Sequence, residues 1–70
     1  MTPMQFLAIS QLLRLRKGPA STAAYAVWVD GIRQIDAAIQ TGATPQSVNK
    51  TVRRIRLGYK LCQLATGKIV

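Results

Sequence analysis

Five residues in the middle of the chain, Thr41-Gly42-Ala43-Thr44-Pro45, constrain its fold more than any other stretch. Gly42 readily takes the positive φ that ends a helix, and Thr44 carries a hydroxyl able to accept a backbone N–H from a first helical turn. Pro45 suits the position after such a cap, where an N–H would have no partner in any case. One helix therefore stops and another starts with only a tight turn between them. Two helices so joined suggest a helix-turn-helix, and the basic residues that follow the turn suggest that it docks on DNA.

Upstream, Thr2-Pro3-Met4-Gln5 is another helix start. Thr2 is the cap, Pro3 takes the first position, and Gln5 reaches back as the other half of a capping box. The apolar spacing predicts a helix from there to about Lys17, stopped by Gly18-Pro19. Phe6, Ile9, Leu13 and Arg16 follow one line along it, and Leu12 and Leu15 widen the apolar face. Arg14, Arg16 and Lys17 fall in its last turn, where cations complement the helix dipole and can also reach a phosphate. A second helix is expected from Ala20 or Ser21 to Asp30, with Gly31 beyond it. Its stretch from Ala23 to Val29 is apolar nearly all round, as in a central core helix, and its alanines allow close approach by a neighbour. Trp28 and Tyr25 read as core packing rather than as a stacking platform for bases, because no second aromatic pair lies beside a basic groove. A third helix, about Arg33 to Gln40, follows Ile32 and places Ile35 and Ile39 on the same face as it. Gln34 stands at its start, either as a donor to a backbone phosphate or as an ordinary exposed glutamine.

The fourth helix opens at Pro45. Val48, Val52, Ile55, Tyr59 and Cys62 give it one continuous apolar stripe. Roughly opposite lie Gln46, Asn49, Lys50 and Arg53, flanked by Arg54 and Arg56. These are residue types that read base edges, since Asn and Gln suit adenine while Arg and Lys suit guanine; a solvated charged face is the other reading. Thr44, Ser47, Gln34, Arg54 and Arg56 are the expected phosphate contacts. Beyond Arg56 the same face turns apolar, with Leu57, Leu61 and Leu64 on nearly the azimuth of Gln46 and Lys50. Leaving each of them fully exposed forgoes about 1.5–3 kcal/mol, which is large beside the roughly 5–15 kcal/mol stability of a typical domain. Residues 57–67 are therefore expected to form a dimer interface, the other possibility being that the first helix folds back onto the leucines. Gly58 can kink or end the helix before them, and Thr66-Gly67 reads as its stop.

Composition narrows the partners. A chain of 70 residues is one small domain that buries only about 60% of its unfolded surface. With one cysteine and no histidine it has neither an internal disulfide nor a zinc cluster to add stability, so association between copies is the remaining route. Cys62 itself reads as a small apolar residue. Ten Lys and Arg against two acids give a formal charge of +8. Lys50, Arg53, Arg54, Arg56 and Lys60 lie within eleven residues, and both acids, Asp30 and Asp36, precede them. That distribution implies a polyanionic partner, nucleic acid ahead of an acidic protein. Without His or Glu the chain lacks the usual groups for acid–base catalysis or metal binding, so no enzyme activity, cofactor, metal or small-molecule substrate is expected. No apolar run reaches the eighteen or so residues that span a bilayer. The opening residues do not read as a signal peptide, since they lack a basic leader and a cleavage site, and with the single cysteine the cytoplasm is the expected compartment. Capped, punctuated helices argue against a peptide lying on a membrane surface. The expected fold is all-α, a small bundle of four or five helices containing a helix-turn-helix, with residues 1–70 as a single domain.

Val29-Asp30-Gly31, followed by Gln34, Ala38, Gly42, Thr44, Val48, Val52 and Arg54, resembles the signature of the KorA/TrfB family of small plasmid-encoded transcriptional repressors. The similarity runs from Phe6 to Leu61 and is best between Val27 and Arg54. Members of that family carry a helix-turn-helix domain and bind palindromic operators as dimers, repressing plasmid maintenance or transfer genes. The resemblance implies the same here: a repressor that binds double-stranded DNA sequence-specifically as a homodimer, with the helix from Pro45 in the major groove. Ala37, Thr41, Ala43 and Thr51 depart from the pattern by standing where such motifs usually carry larger apolar residues. Longer members have a separate dimerisation module, which this chain has no room for before Val70, so either the existing helices are expected to supply the contact or the protein is a monomer off DNA. The reading from a different class is a basic adaptor or inhibitor that grips an acidic protein.

Overall fold

The hydroxyl of Thr2 accepts the Gln5 backbone N–H at 3.1 Å, while the Gln5 side-chain carbonyl accepts the Thr2 N–H at 2.9 Å. This reciprocal cap opens the first helix in the structure, a computed structural model that describes residues 1–65. Among the described residues the fold is all-α, with four helices: α1 (Pro3–Leu12), α2 (Pro19–Trp28), α3 (Gln34–Thr41) and α4 (Pro45–Ala65). Every helix contributes to a common apolar core, built from Phe6 and Ile9 of α1, Ala23, Ala24 and Ala26 of α2, Ala37 and Ala38 of α3, and Val48, Val52 and Ile55 of α4. None of the described helices is long and apolar enough to cross a membrane. The expected stop at Thr66-Gly67, and the end of the 57–67 segment, lie outside the described residues.

The first helix is shorter than its apolar spacing predicts, ending at Leu12 rather than near Lys17. Arg14 adopts a left-handed conformation with φ 54°. Its N–H bonds to the Gln11 carbonyl at 3.1 Å, and the Leu15 N–H returns to the Ser10 carbonyl at 3.0 Å. These are the two bonds of a Schellman stop, in which the left-handed residue is usually glycine. Holding an arginine there costs on the order of 1 kcal/mol. The turn lets Leu13 and Leu15 pack on the core from outside the helix, and it moves Arg14, Arg16 and Lys17 from a helical turn into the α1–α2 loop.

Within a residue or two, α2 and α3 lie where the sequence puts them. Ala23, Ala24 and Ala37 have no exposed surface, and α2 packs on both α3 and α4. The small residues at the seam allow the helix backbones to approach closely, which accounts for Ala37 where a larger residue is usual. The isoleucine face of α3 points the other way: Ile35 and Ile39 are 60% and 75% exposed, and Ala37 and Ala38 face the core instead. Only Ile32, just before the helix, packs against the core.

The helix α4 is continuous through Gly58, so the stop allowed by that residue does not occur. Gly58 is buried, and a Cβ built on it would lie 3.1 Å from Leu13 Cδ1 and 3.3 Å from Ile9 Cγ2. Here α1 crosses α4, and the absent side chain makes room for it. Folding back of α1 onto the leucines is likewise not observed: α1 meets α4 at Gly58, while Leu57, Leu61 and Leu64 remain 58%, 54% and 47% exposed.

Candidate nucleic-acid interface

The turn from α3 to α4 is built as its sequence suggests. Gly42 caps α3 with φ 76°, and its N–H bonds to the Ala38 carbonyl at 2.9 Å. Thr41 bends its hydroxyl back to donate to the Ala37 carbonyl at 2.8 Å. Three residues on, the Thr44 hydroxyl accepts the Ser47 backbone N–H at 3.2 Å and donates to the Ser47 hydroxyl at 2.8 Å. Thr44 is thus committed to the cap. Ser47 keeps its own hydroxyl proton to offer outward, beside the positive end of the α4 dipole.

Because Val48, Val52 and Ile55 turn the inner side of α4 fully into the core, its outer side is fixed by helical geometry. Gln46, Asn49, Lys50 and Arg53 are all exposed there, and with Arg54 and Leu57 they line one shallow concave surface. The side chains singled out for base reading therefore share a face. A second groove lies beside it, between the α1–α2 loop and α4, lined by Arg14, Leu15, Arg16, Ala20, Ser21, Ser47, Lys50, Thr51 and Arg54. Lys50 and Arg54 form the ridge common to both.

The remaining expected phosphate contacts are distributed differently. Arg54 donates from a guanidinium nitrogen to the Leu13 carbonyl at 3.2 Å, tying the end of α1 to α4. Arg56 lines neither surface; its guanidinium lies over the Trp28 ring, 5.8 Å from the centroid, within range of a cation–π contact. Trp28 is half-buried against the core, and the neighbouring Tyr25 meets Phe6 edge-on with ring centroids 5.2 Å apart. Gln34 is half-buried at the start of α3, away from both surfaces. Of the two carboxylates, Asp36 pairs with Arg33 at 3.0 Å and Asp30 is exposed. Neither borders the cationic surfaces of α4.

The loop arginines are what reading the helices one at a time underrates. Placed on a last turn, Arg14 and Arg16 are open equally to the helix dipole and to a phosphate. Placed on a loop facing Lys50 and Arg54, they belong to an electropositive groove. The only sequence signal for this is their number, three cations within Arg14–Lys17 with no acid nearby.

Comparison with known proteins gives no match: no family model fits the chain, and neither a curated protein nor a solved structure is similar to it.

Proposed function

We propose that the protein is a sequence-specific double-stranded DNA-binding repressor of plasmid genes, acting in the cytoplasm as a homodimer on a palindromic operator. The observation that carries this reading is the outer face of α4. A capped helix start leads straight into Gln46, Asn49, Lys50 and Arg53, all exposed on one face whose opposite side is fully occupied by the core. In this arrangement α3 and α4 act as the helix-turn-helix pair, with α4 as the recognition helix. Gln46 and Asn49 read adenine edges, Lys50 and Arg53 read guanine edges, and Ser47 and Arg54 hold adjoining phosphates. Gln34, Thr44 and Arg56 are assigned smaller backbone contributions, Thr44 mainly through the cap and Arg56 from its place over Trp28. The plasmid setting and the repressor role rest on the resemblance to the KorA/TrfB family.

Length supports the dimer. With 21 residues, α4 is about 30 Å long at roughly 1.5 Å per residue. The major groove is about 12 Å wide, so a helix entering it by its first turns brings its last turns out again. Leu57, Leu61 and Leu64 are the residues that emerge, and a second copy of the chain presents the same leucines to them.

Nuclease protection on the DNA upstream of the protein's own gene tests the reading. Two protected half-sites, about 34–36 Å apart or a multiple of that distance, are expected for a two-fold dimer. Lack of protection there and on other duplexes, with binding instead to an acidic protein that duplex DNA does not compete away, would replace this reading with that of an adaptor.

A further inference from the structure

The groove between the α1–α2 loop and α4 extends the candidate interface beyond the reading helix. Arg14, Arg16, Lys50 and Arg54 line it together with Ser47, and its walls include neither Asp30 nor Asp36. Cations gathered around one concavity focus a positive potential into it and favour an anion between them. Two features set it apart from an ordinary charged surface. Arg54 reaches a carbonyl 41 residues away, that of Leu13, so the loop is pinned to α4 rather than merely near it. Arg14 occupies the left-handed position of the Schellman stop, although glycine holds the other positive-φ positions among the described residues, Gly31 and Gly42. A glycine would close the same turn without strain. Strained residues concentrate where the side chain has work beyond the fold.

We infer that the α1–α2 loop is a second DNA-contacting arm: Arg14 and Arg16, with Ser47, take the phosphodiester backbone of the duplex beside the groove that α4 enters, while Lys50 on the shared ridge stays with the base edges. Arg54 is the positioning residue, holding the loop in place through Leu13. This rests on the reading of α4 as a duplex-DNA helix and adds a sequence-independent grip to it. Lys50 and Arg54 border both surfaces, so a strand lying in the groove continues directly from the duplex lying against α4. That continuity favours the duplex backbone over a free anion.

The test titrates the full chain with a short random-sequence duplex over a series of salt concentrations, with thermal melting of each variant in parallel. Each phosphate contact contributes about 0.9 to the slope of log affinity against log salt, so Arg14→Gly combined with Arg16→Ala should lower the slope by about 2. Arg14→Gly alone should raise the melting temperature while weakening duplex binding. A residue serving only the fold does not give that pair of opposite signs. Arg54→Ala should lower the slope by more than one contact in the parent chain, and by less once both loop arginines are gone, because its effect passes through them. Duplex binding by the parent with an unchanged slope in the double variant would overturn the arm and leave the α4 reading standing. Failure of the parent to bind any duplex would overturn both. A lower melting temperature for Arg14→Gly would also count against the arm, since the arginine would then be serving the turn.

Discussion

The two halves of α4 share one inner side and differ on the outer one. Inside, Val48, Val52 and Ile55 give way to Gly58 and Tyr59, the last residue of the helix that packs against the core. Outside, the azimuth that carries Gln46, Lys50 and Arg53 in the first half carries Leu57, Leu61 and Leu64 in the second. Packing cannot explain the change, because no part of the described chain covers either set and all six side chains are exposed. Under the proposed function the first half meets a wet, polyanionic partner and the second an apolar one. Gly58, where α1 crosses, stands at the boundary between them.

Alanine at Asn49, Lys50 and Arg53 together gives the largest expected effect. A good base contact is worth about 1–3 kcal/mol of discrimination, so the three should account for roughly 3 kcal/mol or more on the operator. The variant should keep the parent's melting temperature and its sedimentation mass. Operator titration giving the parent's affinity would remove the first half from the reading role. Leu61→Glu addresses the second half. A dimer loses the residue twice, each at up to about 1.5–3 kcal/mol of apolar burial, so the variant should sediment as a monomer and bind the operator less cooperatively. An unaltered mass would leave the leucines without the partner assigned to them. Gly58→Val probes the boundary and should have the smallest effect of the three. Its side chain meets Leu13 and Ile9 at close range, and overpacking of this kind costs about 1–3 kcal/mol, less what the helix gains from losing a glycine. Urea unfolding should show the loss, whereas a stabilised variant would mean that α1 does not press on α4 there.

The features that could be read in advance are those set by near neighbours in sequence. The Thr2–Gln5 box, the Gly42 stop, the Thr44 cap and the inner stripe of α4 all follow from side chains interacting within a turn or two. The end of α1 escaped that logic because its Schellman turn carries arginine where the usual signal is glycine. The inner face of α3 escaped it because periodicity weights isoleucine above alanine. Close approach of α2 requires the reverse, with Ala37 and Ala38 inside and Ile35 and Ile39 left outside. At the candidate interface, the shared face of Gln46, Asn49, Lys50 and Arg53 is a property of one helix and could be projected from it. The groove with Arg14 and Arg16 depends on where a distant loop comes to rest. The Arg54–Leu13 bond spans 41 residues and has no local trace.

The alanine seam between α2 and α3 bears on how such a chain can diverge. Ala23, Ala24 and Ala37 have no exposed surface, and in so close-packed an interior even one added methylene is felt. Substitutions there would be removed quickly, while those at Gln46, Asn49 or Arg53 disturb no packing and alter only the surface presented to a partner. Descendants of one ancestral sequence could thus acquire different recognition preferences one residue at a time, with α2 and α3 remaining nearly fixed as the record of their common origin.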